Sequence, residues 1–232
     1  MGPDERISPS VLDEAEALLR RGDLDGALRV VQALPRSPLA AGQENAEAAR
    51  SRQRLRLRAA LQYRLLEAPG LSAAAREEVR LALALGTLFG IGVPHLVERV
   101  WPVLAEESYS FAALDAYAER LRQAEVGPLD RWLRGVANRL AGPERERTRA
   151  ELLVHHAYFA VLHATELVEI ERRLLGRPRQ LAGVRVQSLR ASGCPVCVWP
   201  DVTYTVDNLP ELPILPAHPG CRCVYRPVAL AD

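Results

Sequence analysis

Lysine is absent from this 232-residue sequence, and all 30 of its basic residues are arginine. That removes two enzyme classes at once: those that build a Schiff base on a lysine amine, and nucleotide hydrolases whose phosphate loop needs a lysine. Also missing are G-x-S-x-G, the dinucleotide-binding glycine fingerprint and H-E-x2-H, so nothing supports a catalytic nucleophile or a metalloprotease. Charge of one sign is not in excess. The 30 arginines meet 29 acidic residues for a net +1, which excludes a histone-like chain or an acidic tail. No long hydrophobic run occurs. The longest uncharged stretch, Leu81 to Val97, is short for a membrane span and is interrupted by Gly86, Gly90, Gly92 and Pro94, so it reads as a buried helix and its turn. Met1 to Ser10 is charged, carries two prolines and lacks an apolar core, so no targeting segment is expected. The expected protein is soluble, made in the cytosol, without membrane contact. Cysteine is absent from the first 193 residues.

What is present is ample apolar material, 48% of residues, enough for a substantial core. The first two-thirds read as helices separated by clear stops. Ser8-Pro9 looks like a cap followed by proline at the first helical position, and Val11, Leu12, Ala15, Leu18 and Leu19 repeat at helical spacing. Gly22 ends that helix and Asp23 caps the next, whose stripe is Leu24, Leu28, Val31 and Leu34. This hairpin is similar to a tetratricopeptide-type unit, but no second copy follows at a fixed period. A third helix is expected from about Glu44 to Glu67, and a fourth from the cap Ser72 to about Leu85. Another opens at Pro94 and is expected to bend at Pro102. Phe111–Gln123 and Pro128–Leu140 follow, and the longest helix runs from Gly142-Pro143 to Leu175. After Pro178 the texture becomes β and turn, with short runs at Val184–Ser188, Val202–Val206 and Cys223–Tyr225 among many prolines. The expected fold is mainly α: a multi-helix N-terminal region, one long helix and a small C-terminal β and turn module with a Cys/His cluster. The expected segments are 1–69, 70–142, 143–180 and 181–232.

That last segment is too small to build much core alone, so a metal, disulfides or docking must help it. It holds every cysteine: Cys194, Cys197, Cys221 and Cys223, in the order C-x2-C, then H-x2-C-x-C beginning at His218, with 23 residues between Cys197 and Cys221. Two thiolates on one tight turn and a second pair on a facing turn suit a tetrahedral ion. Five donors compete for four positions. The close C-x-C spacing leaves room for His218 to replace one of its two sulfurs. A structural zinc is one reading; two disulfides, or reduced thiols, are the others. A deaminase-type catalytic zinc lacks its H-x-E and its proline before the first cysteine.

The stretch "SGCPVC…LPELPILPAHPGCRCVYRPV" resembles the C-terminal end of the Mu-F-like phage head morphogenesis proteins, the minor head proteins. In that family a long helix opening with A-R-T-E precedes the cysteines. Here Arg147-Thr148-Arg149-Ala150-Glu151 occupies that place, with Glu151 43 residues before Cys194. The match covers residues 143 to 228 and "HPGCRC" is its most specific part. It differs at two points: two extra residues separate Thr148 from Glu151, and Asp201 is followed by Val202 rather than glycine. The resemblance implies a low-copy, non-enzymatic protein inside a tailed-phage or phage-derived head, or in the bacterial cytoplasm before assembly. Its implied partners are portal or capsid protein and double-stranded DNA, with no small-molecule substrate. Some relatives carry a further toxin or ADP-ribosyltransferase domain after the cysteines; with nine residues following Cys223, none is expected here.

Two arginine runs bear on DNA. Arg50, Arg54 and Arg58 share a helical face at i, i+4, i+8, with Leu55, Ala59, Gln62 and Leu66 facing elsewhere. Arg172, Arg173, Arg177 and Arg179, with Arg185 and Arg190 beyond, lead into the cysteine module. Solvated arginine faces explain both runs equally well, and the acidic N-terminal segment offers partners for the first. His155, His156 and His163 read as polar or interface residues, although His163 and Glu166 sit at ligand spacing on one helix turn. Trp199 reads as packing in the small module. The reading that competes with a head protein is a cytosolic zinc-knuckle adaptor that binds nucleic acid.

Overall fold

The structure, a computed structural model, describes residues 7–34, 46–65, 68–123, 131–176, 180–189, 197 and 199–230. Its described residues form eight helices and one two-stranded sheet, the mainly helical fold with a small C-terminal sheet that the sequence predicts. The chain divides into two compact units, Met1–Ser110 and Phe111–Asp232, so the boundary falls inside the segment 70–142 of the sequence reading.

The first unit contains α1 (Pro9–Arg20), α2 (Leu24–Gln32), α3 (Ala46–Gln62), α4 (Ala73–Phe89) and α5 (Val93–Leu104). Local chemistry sets several of these ends. Pro9 opens α1, and the Asp23 carboxylate accepts from Gly26 N at 2.7 Å to start α2. Ser72 Oγ accepts from Ala75 N at 3.1 Å to start α4, and the Ser72 N–H donates to the Glu107 carboxylate at 3.0 Å. Ser72 Oγ also donates to Glu107, and the two hydrogen bonds from Ser72 to this carboxylate, side chain first, hold it below its ordinary range. α4 extends to Phe89, past the Leu85 end read from sequence, because Gly90 takes φ 71° and returns its N–H to Gly86 O. The residues from Leu81 to Phe89 are all buried, and α4 packs against α1, α2, α3 and α5. The uncharged stretch is thus the centre of this unit's core, and no helix among the described residues is long and apolar enough to cross a membrane.

α3 ends at Gln62, short of the expected Glu67; Leu65 lies at φ 47°, outside helical geometry. Its buried side is Gln53, Leu57 and Ala60, whereas Gln62 is exposed and Leu55 and Ala59 are half-buried. Gln53 is buried because its amide donates to the Thr87 and Leu88 carbonyls at the end of α4, where the helix has no N–H to offer them.

The second unit contains α6 (Ala112–Gln123), α7 (Arg131–Ala141), α8 (Arg145–Leu175), β1 (Leu181–Ser188) and β2 (Cys223–Ala229). With 31 residues, α8 is roughly 46 Å long at about 1.5 Å per residue. α7 packs on α8, and Arg149 of α8, nearly buried, reaches Asp115 of α6 at 2.7 Å. The last turns of α8 bury Ile170 and Leu174 in one cluster with Leu181, Val184, Tyr204, Leu212, Leu215, Tyr225 and three cysteines. Docking on a long helix therefore supplies core that the small module lacks, at roughly 1.5–3 kcal/mol per fully buried aliphatic side chain.

β1 and β2 pair antiparallel, Ser188 opposite Cys223 and Val184 opposite Pro227. The expected strand at Val202–Val206 is instead a strap along the other edge of β1, joined by a single bridge. Val184 N donates to Tyr204 O and Tyr204 N to Val184 O, both at 2.8 Å. Arg185 ties the strap down through Thr203 Oγ1 at 2.7 Å and Asp201 at 3.3 Å. A Cβ on Gly183 would fall 2.5 Å from Thr203 Cγ2 and 2.6 Å from Tyr204 O, so only glycine admits the strap at this distance. Because Val184 spends its backbone groups on Tyr204, Val184 and Pro227 are a non-hydrogen-bonded pair, and the Pro227 nitrogen faces away from β1.

Candidate metal centre

The motif H-P-G-C makes the first half of the site. Proline fixes its own φ, and Gly220 takes φ 73°, the combination of a type II turn, closed by Cys221 N donating to His218 O at 3.1 Å. The turn places His218 and Cys221 side by side. Two residues after Cys221 β2 begins, and Cys223 is buried with Tyr225. Tyr225 steadies the loop in front: its hydroxyl donates to Pro213 O at 2.9 Å and accepts from Leu215 N at 3.0 Å. Burial pushes the Tyr225 phenol up, so it stays protonated and able to donate.

Cys197 joins them. The sulfurs of Cys197, Cys221 and Cys223 are buried and lie within 4.8 Å of one another. Cys197 and Cys221 are 3.7 Å apart. Two thiolates on a tetrahedral ion with metal–sulfur bonds of about 2.3 Å are separated by about 3.8 Å, so this edge fits a metal without rearrangement. A disulfide would need about 2.05 Å, and the three cysteines are free in this structure. Both sulfurs of the C-x-C pair belong to the cluster. The two come together because Cys221 closes the turn while Cys223 opens an inward-facing strand position.

His218 joins at one edge, with Nε2 3.0 Å from Cys197 Sγ. Its Nδ1 is 2.8 Å from Pro219 O. A carbonyl can only accept, so Nδ1 carries the proton, and in the neutral imidazole Nε2 then presents its lone pair, the form that binds a metal. Cys194 lies outside the described residues. Among the described residues the donors close enough to share an ion are Cys197, Cys221 and Cys223, a sulfur-rich set suited to a soft or borderline ion such as zinc, and His218 lies beside it against Cys197.

The electrostatics are those of a thiol cluster sharing charge. Contact with the Cys197 thiol, and then with Cys223, holds the Cys221 thiol far below the ordinary thiol range, against the effect of burial. Cys223 moves the other way: its contact with Cys197 pulls down, but Cys221 and burial outweigh that and leave it raised. One thiolate thus forms readily and its neighbour Cys223 resists a second charge, a balance a cation would relieve. Trp199, half-buried on the module core, donates its indole N–H to Cys223 Sγ at 3.1 Å, and Cys223 N donates to Cys221 Sγ at 3.5 Å. Trp199 packs the module, as its sequence position implies, and also supports a sulfur. The stacking of Tyr117 of α6 on the His218 ring, with centroids 4.3 Å apart and planes at 17°, is not legible in the sequence, because α6 and the H-P-G-C turn are distant along the chain.

Other sequence candidates lie elsewhere. His163 is buried with Nδ1 3.3 Å from Glu166, and the ring meets Tyr225 edge-on at 5.6 Å. His156 faces Phe111 and His155 faces Phe159. Among the described residues the three cysteines form the group of donors close enough to share an ion, and the α8 histidines are not in it. Arg50, Arg54 and Arg58 are all exposed on one face of α3, and Arg54 is paired with Asp25 of α2. Arg172 is exposed and paired with Glu169 at 2.8 Å, and Arg173 is half-buried. Arg177 and Arg179 lie outside the described residues. Compared with known proteins, the chain matches no family model, no curated protein and no solved structure.

Proposed function

We propose that this chain is a structural, non-enzymatic minor head protein of a tailed phage or phage-derived particle. It associates with portal or capsid protein, and with DNA, in head assembly, packaging or ejection, and a structural zinc closes its C-terminal module. The observation that supports this reading is the convergence of the H-P-x-C-R-C residues: the buried sulfurs of Cys221 and Cys223 lie within 4.8 Å of Cys197, and His218 Nε2 is 3.0 Å from Cys197 Sγ. These residues also carry the family resemblance. A site whose donors are all buried, with supporting hydrogen bonds on its sulfurs, suits a metal that holds structure rather than one that works on a substrate.

The test is sedimentation of a lysate of the native source in a density gradient, with and without nuclease, probed for this chain. Co-migration with filled or empty heads is the expected result. Migration as a free small protein overturns the head assignment and leaves the second reading, a cytosolic zinc-knuckle protein that binds nucleic acid. The exposed face of Arg50, Arg54 and Arg58 on α3 favours that alternative.

A further inference from the structure

We infer that Tyr117 is the positioning residue for His218, and that a metal held at the cysteine cluster therefore locks helix α6 to the C-terminal module. The inference rests on the metal reading with His218 taken as a donor beside the three cysteines, and extends it to a helix that carries no ligand. Tyr117 is 2% exposed and His218 5%, and their rings are stacked nearly parallel, centroids 4.3 Å apart. Two contacts then fix the imidazole. The Nδ1–H bond to Pro219 O decides which nitrogen keeps its lone pair, and the phenol face fixes the tilt of the ring, which leaves Nε2 beside Cys197 Sγ.

The coupling runs in both directions. A metal withdraws electron density from the imidazole bound to it, and an electron-poor ring stacks more strongly on the electron-rich face of a phenol. Whatever factor the metal adds to the stack, the stack adds to metal affinity, by linkage. Groups that orient a metal-ligating histidine typically change affinity by about 10–100-fold.

The experiment uses the full chain, reduced and freed of metal with a chelator, titrated with cobalt(II) and followed by visible absorption. Three variants are compared: Tyr117→Phe, which keeps the ring, Tyr117→Leu, which removes it, and Phe111→Leu. Phe111 is a fully buried ring just before α6 that faces His156 and not His218. The wild type and Tyr117→Phe are expected to bind one cobalt with matching spectra. Tyr117→Leu is expected to bind about 10–100-fold more weakly, with shifted d–d bands, and Phe111→Leu to keep the wild-type affinity. Amide exchange over 114–118 in the wild type is expected to speed up when the metal is removed. Equal weakening by Tyr117→Leu and Phe111→Leu overturns the positioning role, as does exchange in α6 that ignores the chelator. Should Tyr117→Leu fail to fold, the wild-type exchange measurement still decides. A wild-type chain that takes up no cobalt overturns the metal reading itself, and the lock with it, which is distinct from cobalt binding that all three variants share.

Discussion

Replacing Gly183 with alanine tests whether the strap over β1 holds the metal module together. The added methyl would lie 2.5 Å from Thr203 Cγ2, 2.6 Å from Tyr204 O and 3.3 Å from Tyr204 C. Ordinary contact between such atoms is about 3.5–4.0 Å, so the strap must retreat by about 1 Å. Two of the three atoms are backbone, which has no rotamer to change. Retreat loosens both bonds of the Val184–Tyr204 bridge, at about 0.5–1.5 kcal/mol each. Overpacking of a closed core adds about 1–3 kcal/mol. The expected loss is therefore about 2–6 kcal/mol, confined to the module, whose core includes Tyr204 and the three cysteines. Denaturant unfolding gives the total, and amide exchange at Val184 and Tyr204 localises it. A Gly183→Ala protein within about 0.5 kcal/mol of wild type, with both amides still protected, would refute the claim that the strap sits too close for a side chain.

Three further outcomes are expected. The double variant Cys197→Ser, Cys221→Ser should lose metal, measured by elemental analysis, and should unfold the module while α1–α5 keep their circular-dichroism signal; a metal-free wild type that is fully folded would contradict this. If α3 contacts DNA, changing Arg50, Arg54 and Arg58 together to alanine should weaken duplex binding and flatten its log–log salt dependence by up to about 2.7. Asp25→Ala, which releases Arg54 from its partner, should strengthen that binding; fluorescence anisotropy across a salt series reads both. Glu107 has a lowered pKa in the fold, so the stability it gives is complete above about pH 4.5 and is lost as pH falls through the folded value. Amide exchange at the start of α4 should accelerate over that acid range in wild type and be insensitive to it in Glu107→Gln.

Much of the helical layout was legible because single residues announced it: Pro9, Asp23 and Ser72 start helices where sequence places them. The extension of α4 to Phe89 was missed because apolar periodicity fades in a helix buried on all sides, and the stop is set by Gly90 rather than by the pattern. The buried face of α3 was illegible because one of its members is a glutamine, inward only because α4 ends beside it. In the candidate site the spacing marked Cys197, Cys221 and Cys223, whose sulfurs come together, and His218, which lies against Cys197. Their supports were split: Trp199 lies two residues from Cys197 and was visible as a packing residue, whereas Tyr117 belongs to a remote helix with no local signal. The strap at Val202–Val206 looked like a strand because β-branched and aromatic residues alternate there, but its pairing is limited to one bridge beside Gly183.

Pro227 has an outward consequence. A two-stranded ribbon exposes the far side of its outer strand as a template on which any extended chain, another copy included, can be laid down. On β2 the positions whose backbone faces that side include Pro227, which is exposed and has no N–H to give. An incoming strand would meet an acceptor left empty in the middle of its ladder. Copies of this protein crowded together can thus touch along β2 without one small sheet seeding the growth of the next.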